Sequence, residues 1–251
     1  MEQPVTTTIA SWRDFSKDYE SKVLSVTSFA AKRQQILDDV LPGVILDLGC
    51  GPLGLLLRAL SRLPNTSPIG LDSSPEMLRE SCRHTRKSNV HYLLGDVRWL
   101  PLKSSSVDTV VTINSFVPEI RQDIDRSFAE AARVLRKGGR LIAVLPSFEM
   151  SMIARDQWGM KLDVDLENHR EWDTVGWQCF YTEKDIREIM QKHHFQYRLR
   201  RMVFDAPAEI AHVQRVYAHG LATVPREQMI KHPLFEHFLV AERQNGDELN
   251  I

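Results

Sequence analysis

Cysteine is scarce in this chain: Cys50, Cys82 and Cys179 are the three in 251 residues. An odd, dispersed set builds no disulfide framework and no paired Cys-x-x-Cys zinc site, so no metal is expected. It fits a reducing cytoplasm. No apolar run reaches the ~18 residues that a membrane helix needs. The first ten residues lack the basic-then-apolar pattern of a signal peptide. Charge of a single sign is also lacking, since 32 Lys and Arg face 33 Asp and Glu for a net charge of −1. Such a balance provides no broad electrostatic footprint for nucleic acid. Neither nucleic acid nor a membrane is therefore an expected partner. There is no internal repeat. The hydrophobic content of 43% is that of an ordinary soluble protein. The length suits one α/β domain spanning 1–251 with covering elements, or two small domains.

Residues 12–40 have helical spacing, with Trp12, Phe15 and Tyr19 on one face, until Asp38-Asp39 and Pro42-Gly43 break it. A β/α alternation follows. Residues 44–48 are almost wholly apolar and do not alternate, as a strand buried on both faces requires. Leu53, Leu56, Leu57 and Leu60 then take helical spacing. Residues 68–71 form a second strand ending at Asp72. Ser73 or Ser74 can cap the next helix, with Pro75 in its first turn and Glu76 completing a capping box. Residues 90–94 and 107–113 read as the third and fourth strands. Ile124, Phe128, Ala131 and Leu135 mark a helix face, which Lys137-Gly138-Gly139 stops, and 140–145 is a fifth strand. The tail adds a helix over 182–194 and strands over 196–203 and 236–242. The expected fold is Rossmann-like and doubly wound: a seven-stranded, mostly parallel sheet with helices on both faces. Residues 1–40 are expected as an N-terminal helical lid, with 147–181 and 206–232 as helical substrate covers. Ligands of such a sheet bind at the carboxyl ends of its strands.

Chemistry-bearing residues collect at that end. Gly49-Cys50-Gly51 joins the first strand to a helix, where glycines allow close backbone approach and free N–H groups face a ligand. A plain tight turn has the same residues. Asp72 ends the second strand, where a carboxylate binds a ribose diol or merely caps a helix. Asp47 stands inside the first strand and must order the glycine loop or meet an ammonium group. Gly95-Asp96-Val97 ends the third strand, and Val107-Asp108-Thr109-Val110-Val111 opens the fourth. Glu130 to Gly139 leads into the fifth.

This ordered set resembles the class I S-adenosylmethionine (SAM)-dependent methyltransferases, in particular the "methyltransferase type 11" group that includes ubiquinone-type enzymes. The resemblance covers 44–141 and departs at one place, where Leu53 stands for the usual third glycine and Gly54 follows it. It implies SAM as cofactor and S-adenosylhomocysteine as product. It places Asp47, Gly49, Cys50 and Gly51 beside the methionine portion. Asp72, with Ser73 and Met77, would bind the ribose, and Asp96 with Val97 the adenine. Asn114 and Ser115 would face the sulfonium, and Tyr19 would either close over SAM or pack on the sheet.

Methyl transfer relies mainly on aligning nucleophile, methyl carbon and leaving sulfur in line, so it requires no catalytic triad. His169, His212, His219 and Tyr181 lie in the cover segments and are the candidates for a base, each with a plain packing role as the alternative. His212 and His219, two turns apart, stand roughly 10 Å from one another, too far to share a metal. Trp158, Trp172, Trp177, Phe180 and Tyr181 either pack beneath a lid or line an apolar acceptor pocket. Arg198, Arg200 and Arg201 meet an acidic substrate or form a solvated strand face. The reading preferred is transfer to O, N or C of a small-molecule metabolite by a monomer or homodimer. An RNA or protein methyltransferase and a SAM-binding subunit without turnover stand as alternatives. The sequence after the fourth strand, Asn114-Ser-Phe-Val-Pro-Glu, has no Asn-Pro-Pro-Tyr-type signature.

Overall fold

The last four residues of the run Gly43–Leu48 (β1) are buried, which an apolar strand achieves only when both its faces are covered. The computed structural model describes residues 19, 26–86, 89–173, 176–218 and 224–244. Beside β1 lie β2 (Thr66–Asp72), β3 (His91–Leu94), β4 (Val107–Ile113) and β5 (Leu135–Pro146), followed late in the chain by β9 (Phe195–Phe204) and β10 (Leu234–Arg243). They form one sheet in the order β3-β2-β1-β4-β5-β10-β9. β10 runs antiparallel to both neighbours, and the other pairs are parallel. The seven-stranded, mostly parallel sheet is therefore as expected, with strand ends within two residues of expectation except that β5 begins five residues early, at Leu135.

Alternate residues of the central strands feed two cores. Leu46 and Leu48 of β1 pack with Ile124, Phe128 and Ala131 of α4 (Gln122–Val134) and with Ile186 and Met190 of α6 (Glu183–Lys192). Ile45 and Val111 face the other way. They meet Ile36 of α1 (Ala30–Leu37), Leu56 and Leu60 of α2 (Leu55–Leu60) and Met150 of α5 (Phe148–Asp156). Ile210 of α7 (Pro207–Ala218) and Met229 of α8 (Arg226–Lys231) complete that layer. Each of these side chains except the smaller Ala131 contributes about 1.5–3 kcal/mol by leaving water.

Four local expectations are corrected. The helix over 12–40 is broken: a 3-10 turn at Val26–Ser28 precedes α1, Tyr19 is helical, and Trp12 and Phe15 lie outside the described residues. Helix α4 ends at Val134, before the Gly138-Gly139 pair, which instead belongs to a bulge in β5; the register jumps from Val107↔Leu135 to Thr109↔Arg140. Ser74 caps α3 (Pro75–Thr85) by accepting from the Met77 amide, but Glu76 sits one position too early to close a capping box. The capping box is at Thr182 and Asp185 on α6. The cover at 147–181 is only partly helical. After α5 it folds into a three-stranded antiparallel sheet of β6 (Val164–Asp165), β7 (Arg170–Asp173) and β8 (Gly176–Cys179), anchored where Cys179 donates its amide to the Pro118 carbonyl. The segment 206–232 does contain helices, α7 and α8. Among the described residues no helix is long and apolar enough to cross a membrane.

Gly54 has a defined place. It is the N-cap of α2 with φ +59°, and a Cβ there would lie 2.8 Å from the Thr85 Cγ2 on α3. Left-handed strain and overpacking act together. Gly54→Ala is expected to destabilise the protein by about 2–4 kcal/mol in denaturant titrations. Thr85→Ser, which deletes that methyl, should recover part of the loss when combined with it; strict additivity would refute the clash.

Candidate functional site

The carboxyl end of β1 turns sharply at Gly49, whose φ is +65°. A Cβ there would overlap Ser115, reaching 2.6 Å from its Oγ, so only glycine lets the ends of β1 and β4 approach so closely. Ser115 fastens the contact: its Oγ donates to the Leu48 carbonyl at 2.6 Å and accepts from Thr112 at 2.9 Å. The loop is tied on its other side to β2. Cys50 donates its amide to the Leu71 carbonyl at 3.0 Å. Gly51 donates its amide to Asp72 Oδ2 at 3.0 Å, and Ser74 donates to Asp72 Oδ1 at 2.9 Å. Burial pushes the Asp72 carboxyl up, opposed by the amides of Ser74, Gly51 and Ser73. Met77 is buried one helical turn beyond.

Asp47 lies within the same shell at 4% exposure. Among the described residues no cationic side chain acts on it or on Asp72. Burial, and then the neighbouring Asp72 charge, push Asp47 up to about 8. Tyr19 covers the loop, its Oη 3.8 Å from a Cβ placed on Gly51. Burial and the nearby Asp72, Cys50 and Asp47 push its phenol up. Cys50 is pushed up as well, by burial first, so it is a thiol rather than a thiolate nucleophile.

At the next strand end, Asp96 is engaged by Arg98. The Arg98 amide donates to Oδ1 at 2.8 Å and its guanidinium to Oδ2 at 2.7 Å. Burial alone would raise the Asp96 carboxyl, but these hydrogen bonds hold it below the usual carboxylate range. Arg98 also donates to Asp123 at 2.6 Å and lies over the exposed Trp99 ring. Val97 packs against the core beside it.

Asn114 leaves β4 with φ +52°. Its Nδ2 donates to Glu236 Oε1 at 2.6 Å. Glu236, at the start of β10, was not among the residues singled out from sequence. Its signal was a lone acid in the otherwise apolar run Leu234-Phe235-Glu236-His237-Phe238-Leu239. Burial pushes its carboxyl up to about 7 against the opposing Asn114 hydrogen bond.

The base candidates separate. Tyr181 is fully buried and its hydroxyl donates to the Phe116 carbonyl, which gives it a core role and removes it from candidacy. His169 stands at the edge of the small sheet with φ +47°, its Nδ1 2.8 Å from Asp185 Oδ2 and its ring 4.8 Å from that of Phe148. Asp185 is already bonded to Arg121 and Thr182. His212 packs edge-on against Phe29. His219 lies outside the described residues. Trp158 and Tyr181 belong to the cores, whereas Trp172 is 53% exposed. Arg198 and Arg201 pair with Asp39 and Glu183. Among the described residues no group of three or more His, Cys, Asp or Glu is arranged to hold a metal.

With this geometry in hand, known proteins supply the context. Residues 45–139 match the family described as "Methyltransferase domain". A 37.1 kDa protein of transposon TN4556 from Streptomyces fradiae is 40% identical over 134 residues, which are 50% of this chain and 38% of that protein. A ubiquinone/menaquinone biosynthesis C-methyltransferase of Dinoroseobacter shibae is 30% identical over 149 residues, 57% of each chain. The chain thus spans less than two thirds of these relatives. In fold it is similar to the methyltransferase solved in complex with the Trm112 activator of Haloferax volcanii, with TM-score 0.66 at 20% identity, covering 96% of this chain and 98% of that one. The matched segment holds the glycine loop, Asp72 and Asp96, and the chain therefore carries a class I SAM-dependent methyltransferase domain of the type 11 group.

Proposed function

We propose that this protein transfers the methyl group of SAM to an O, N or C atom of a small-molecule metabolite, by in-line displacement and mainly through positioning. One observation carries the reading: Asp47 and Asp72 are buried together at the glycine loop, and among the described residues no cationic side chain acts on either. Buried carboxylates without a counter-charge are costly. A ligand with positive charge offsets that cost, and SAM bears both an ammonium and a sulfonium. A dinucleotide brings negative phosphates and would add repulsion.

In this reading Asp47, Gly49, Cys50 and Gly51 hold the methionine portion. Asp72, Ser73 and Met77 hold the ribose, with Tyr19 above. Asp96 and Val97 stand at the adenine, and Arg98 must then share Asp96 with it. Asn114 and Ser115 lie at the sulfonium. SAM supplies a methyl already activated by its sulfonium; the chain orients the acceptor and excludes water. The segments 1–40, 147–181 and 206–232 serve as covers of one domain. Exposed arginines paired with acids, as at Arg198 and Arg136, support a small acceptor over nucleic acid. The three unpaired cysteines agree with a cytoplasmic setting.

Calorimetry with SAM should give a micromolar dissociation constant, and Asp72→Ala should weaken binding by about 1–3 kcal/mol. Undiminished affinity in the variant would move the ribose elsewhere.

The raised Asp47 carboxyl sets a pH dependence. Its protonated form is favoured below about 8, and a cationic ligand stabilises the ionised form. Binding near pH 7 should therefore release a proton, and affinity should climb as pH rises from about 6 to 8, by at most about tenfold per unit. Comparing Asp47→Asn subtracts the ligand's own titration. A wild-type slope equal to that of the variant would exclude Asp47 from the cation site.

A further inference from the structure

We propose that Asn114 and Glu236 form the acceptor-recognition pair, built for a nucleophile that donates two hydrogen bonds, an amine. The proposal deepens the methyl-transfer reading and rests on it. Asn114 is joined to Ser115, whose side chain lies under Gly49, so the pair stands one residue from the cofactor loop. Residue 236 is brought there over a separation of 122 in sequence, because β10 runs antiparallel and starts at the sheet edge where β4 and β5 end.

Glu236 is 6% exposed. Oδ1 of Asn114 and Oε2 of Glu236 are both closed to solvent and have no hydrogen-bond partner among the described residues. Buried polar atoms left this way are rare and costly, and they call for a specific account. Both orphan atoms are acceptors. The one donor of the pair, the Asn114 Nδ2 group, is turned to Oε1. A ligand that satisfies both oxygens must bring two donors. A neutral amine does so with two N–H groups and keeps its lone pair for the methyl carbon. A hydroxyl has one hydrogen and leaves one oxygen unpaired. A carboxylate has none and adds repulsion.

The step balances. The nitrogen lone pair forms the new N–C bond, the C–S bond breaks with its electrons kept by sulfur, and the surplus N–H proton passes to Oε2. Burial, which holds the Glu236 carboxyl near neutrality, suits a group that takes up a proton.

The test is equilibrium binding near pH 7 to the S-adenosylhomocysteine complex of the full chain, with aniline, which is a neutral amine there, phenol and benzoate as probes that differ only in head group. The expected order is amine, then phenol, then benzoate, with about tenfold between first and last. Glu236→Gln keeps an oxygen for Asn114 and replaces the orphan acceptor by a donor. It should erase the amine preference and strengthen benzoate, a reversal that a merely structural pair would not produce. Affinity for S-adenosylhomocysteine, measured on both proteins, should stay within about threefold. Equal binding of the probes, no binding of any, or an unchanged order in the variant would overturn the proposal. If the variant fails to fold, the order on the unmodified protein decides. Loss of S-adenosylhomocysteine binding in the unmodified protein would instead bring down the methyl-transfer reading and this inference with it.

Discussion

The ends of β1 and β4 meet at a contact that only a glycine permits. Gly49 passes so close to Ser115 that any side chain at 49 would occupy the same space, and the Ser115 hydroxyl seals the junction onto the Leu48 carbonyl. From that point the rest of the site is determined. Asp47 is two residues back along β1, Asn114 is one residue back from Ser115, and Asp72 reaches across from β2 to the Gly51 amide. The junction holds the loop by hydrogen bonds to neighbouring strands.

This arrangement comes with electrostatic strain. Asp47, Asp72 and Glu236 are acids that burial pushes up, and all lie near one end of the sheet. The remainder of the molecule treats charge differently. Arg133 with Glu130, Arg98 with Asp123 and Arg170 with Asp165 are ion pairs of ordinary geometry. Asp47, Asp72 and Glu236 have no ion-pair partner among the described residues, whereas Asp96 at the next strand end is paired with Arg98. The two apolar layers on either face of β1 and β4 supply stability that tolerates the arrangement, since a few buried aliphatic side chains together offset one unfavourable buried charge.

Much of the fold was legible in the sequence because buried parallel strands carry an unambiguous apolar signature and alternate with helices at short spacing. Leu46, Val110 and Ile142 announce themselves. What escaped depends on partners distant in sequence. Gly138-Gly139 reads as a helix stop, yet the same glycines fit a bulge once β4 fixes the register from outside. The small sheet at 164–179 has charged residues in its strands, and its placement comes from the amide bonded to Pro118, some sixty residues away. Tyr181 has the composition of a pocket residue and becomes core because Phe116 offers a carbonyl to its hydroxyl. Asp96 was legible as a strand-end acid, but its grip by Arg98 is a rotamer choice that spacing does not encode. The candidate residues at consecutive strand ends were thus far more readable than the Asn114–Glu236 contact, which joins positions 122 residues apart.

The antiparallel strand explains that asymmetry. In a sheet of parallel strands every carboxyl end lies at one edge, so residues of the site follow strands at regular intervals. β10 runs the other way and begins at that edge instead. Its first residues, not its last, therefore face the chemistry. Glu236 and His237 occupy adjacent positions and point to opposite faces. His237 is sealed between Glu149 and the Tyr181 carbonyl, at 3.2 and 3.0 Å. Burial would raise the Glu149 carboxyl, but the His237 hydrogen bond and the bonds from Glu183 and Ser147 bring it down to about 2. One strand start thus splits its polar residues: His237 locks α5 and α6 to the sheet, and Glu236 is left with an open oxygen beside Asn114. Because the lock and the open acid share a backbone, the rigidity of the first fixes the position of the second. A carboxylate meant to meet a reacting atom needs that kind of fixed support.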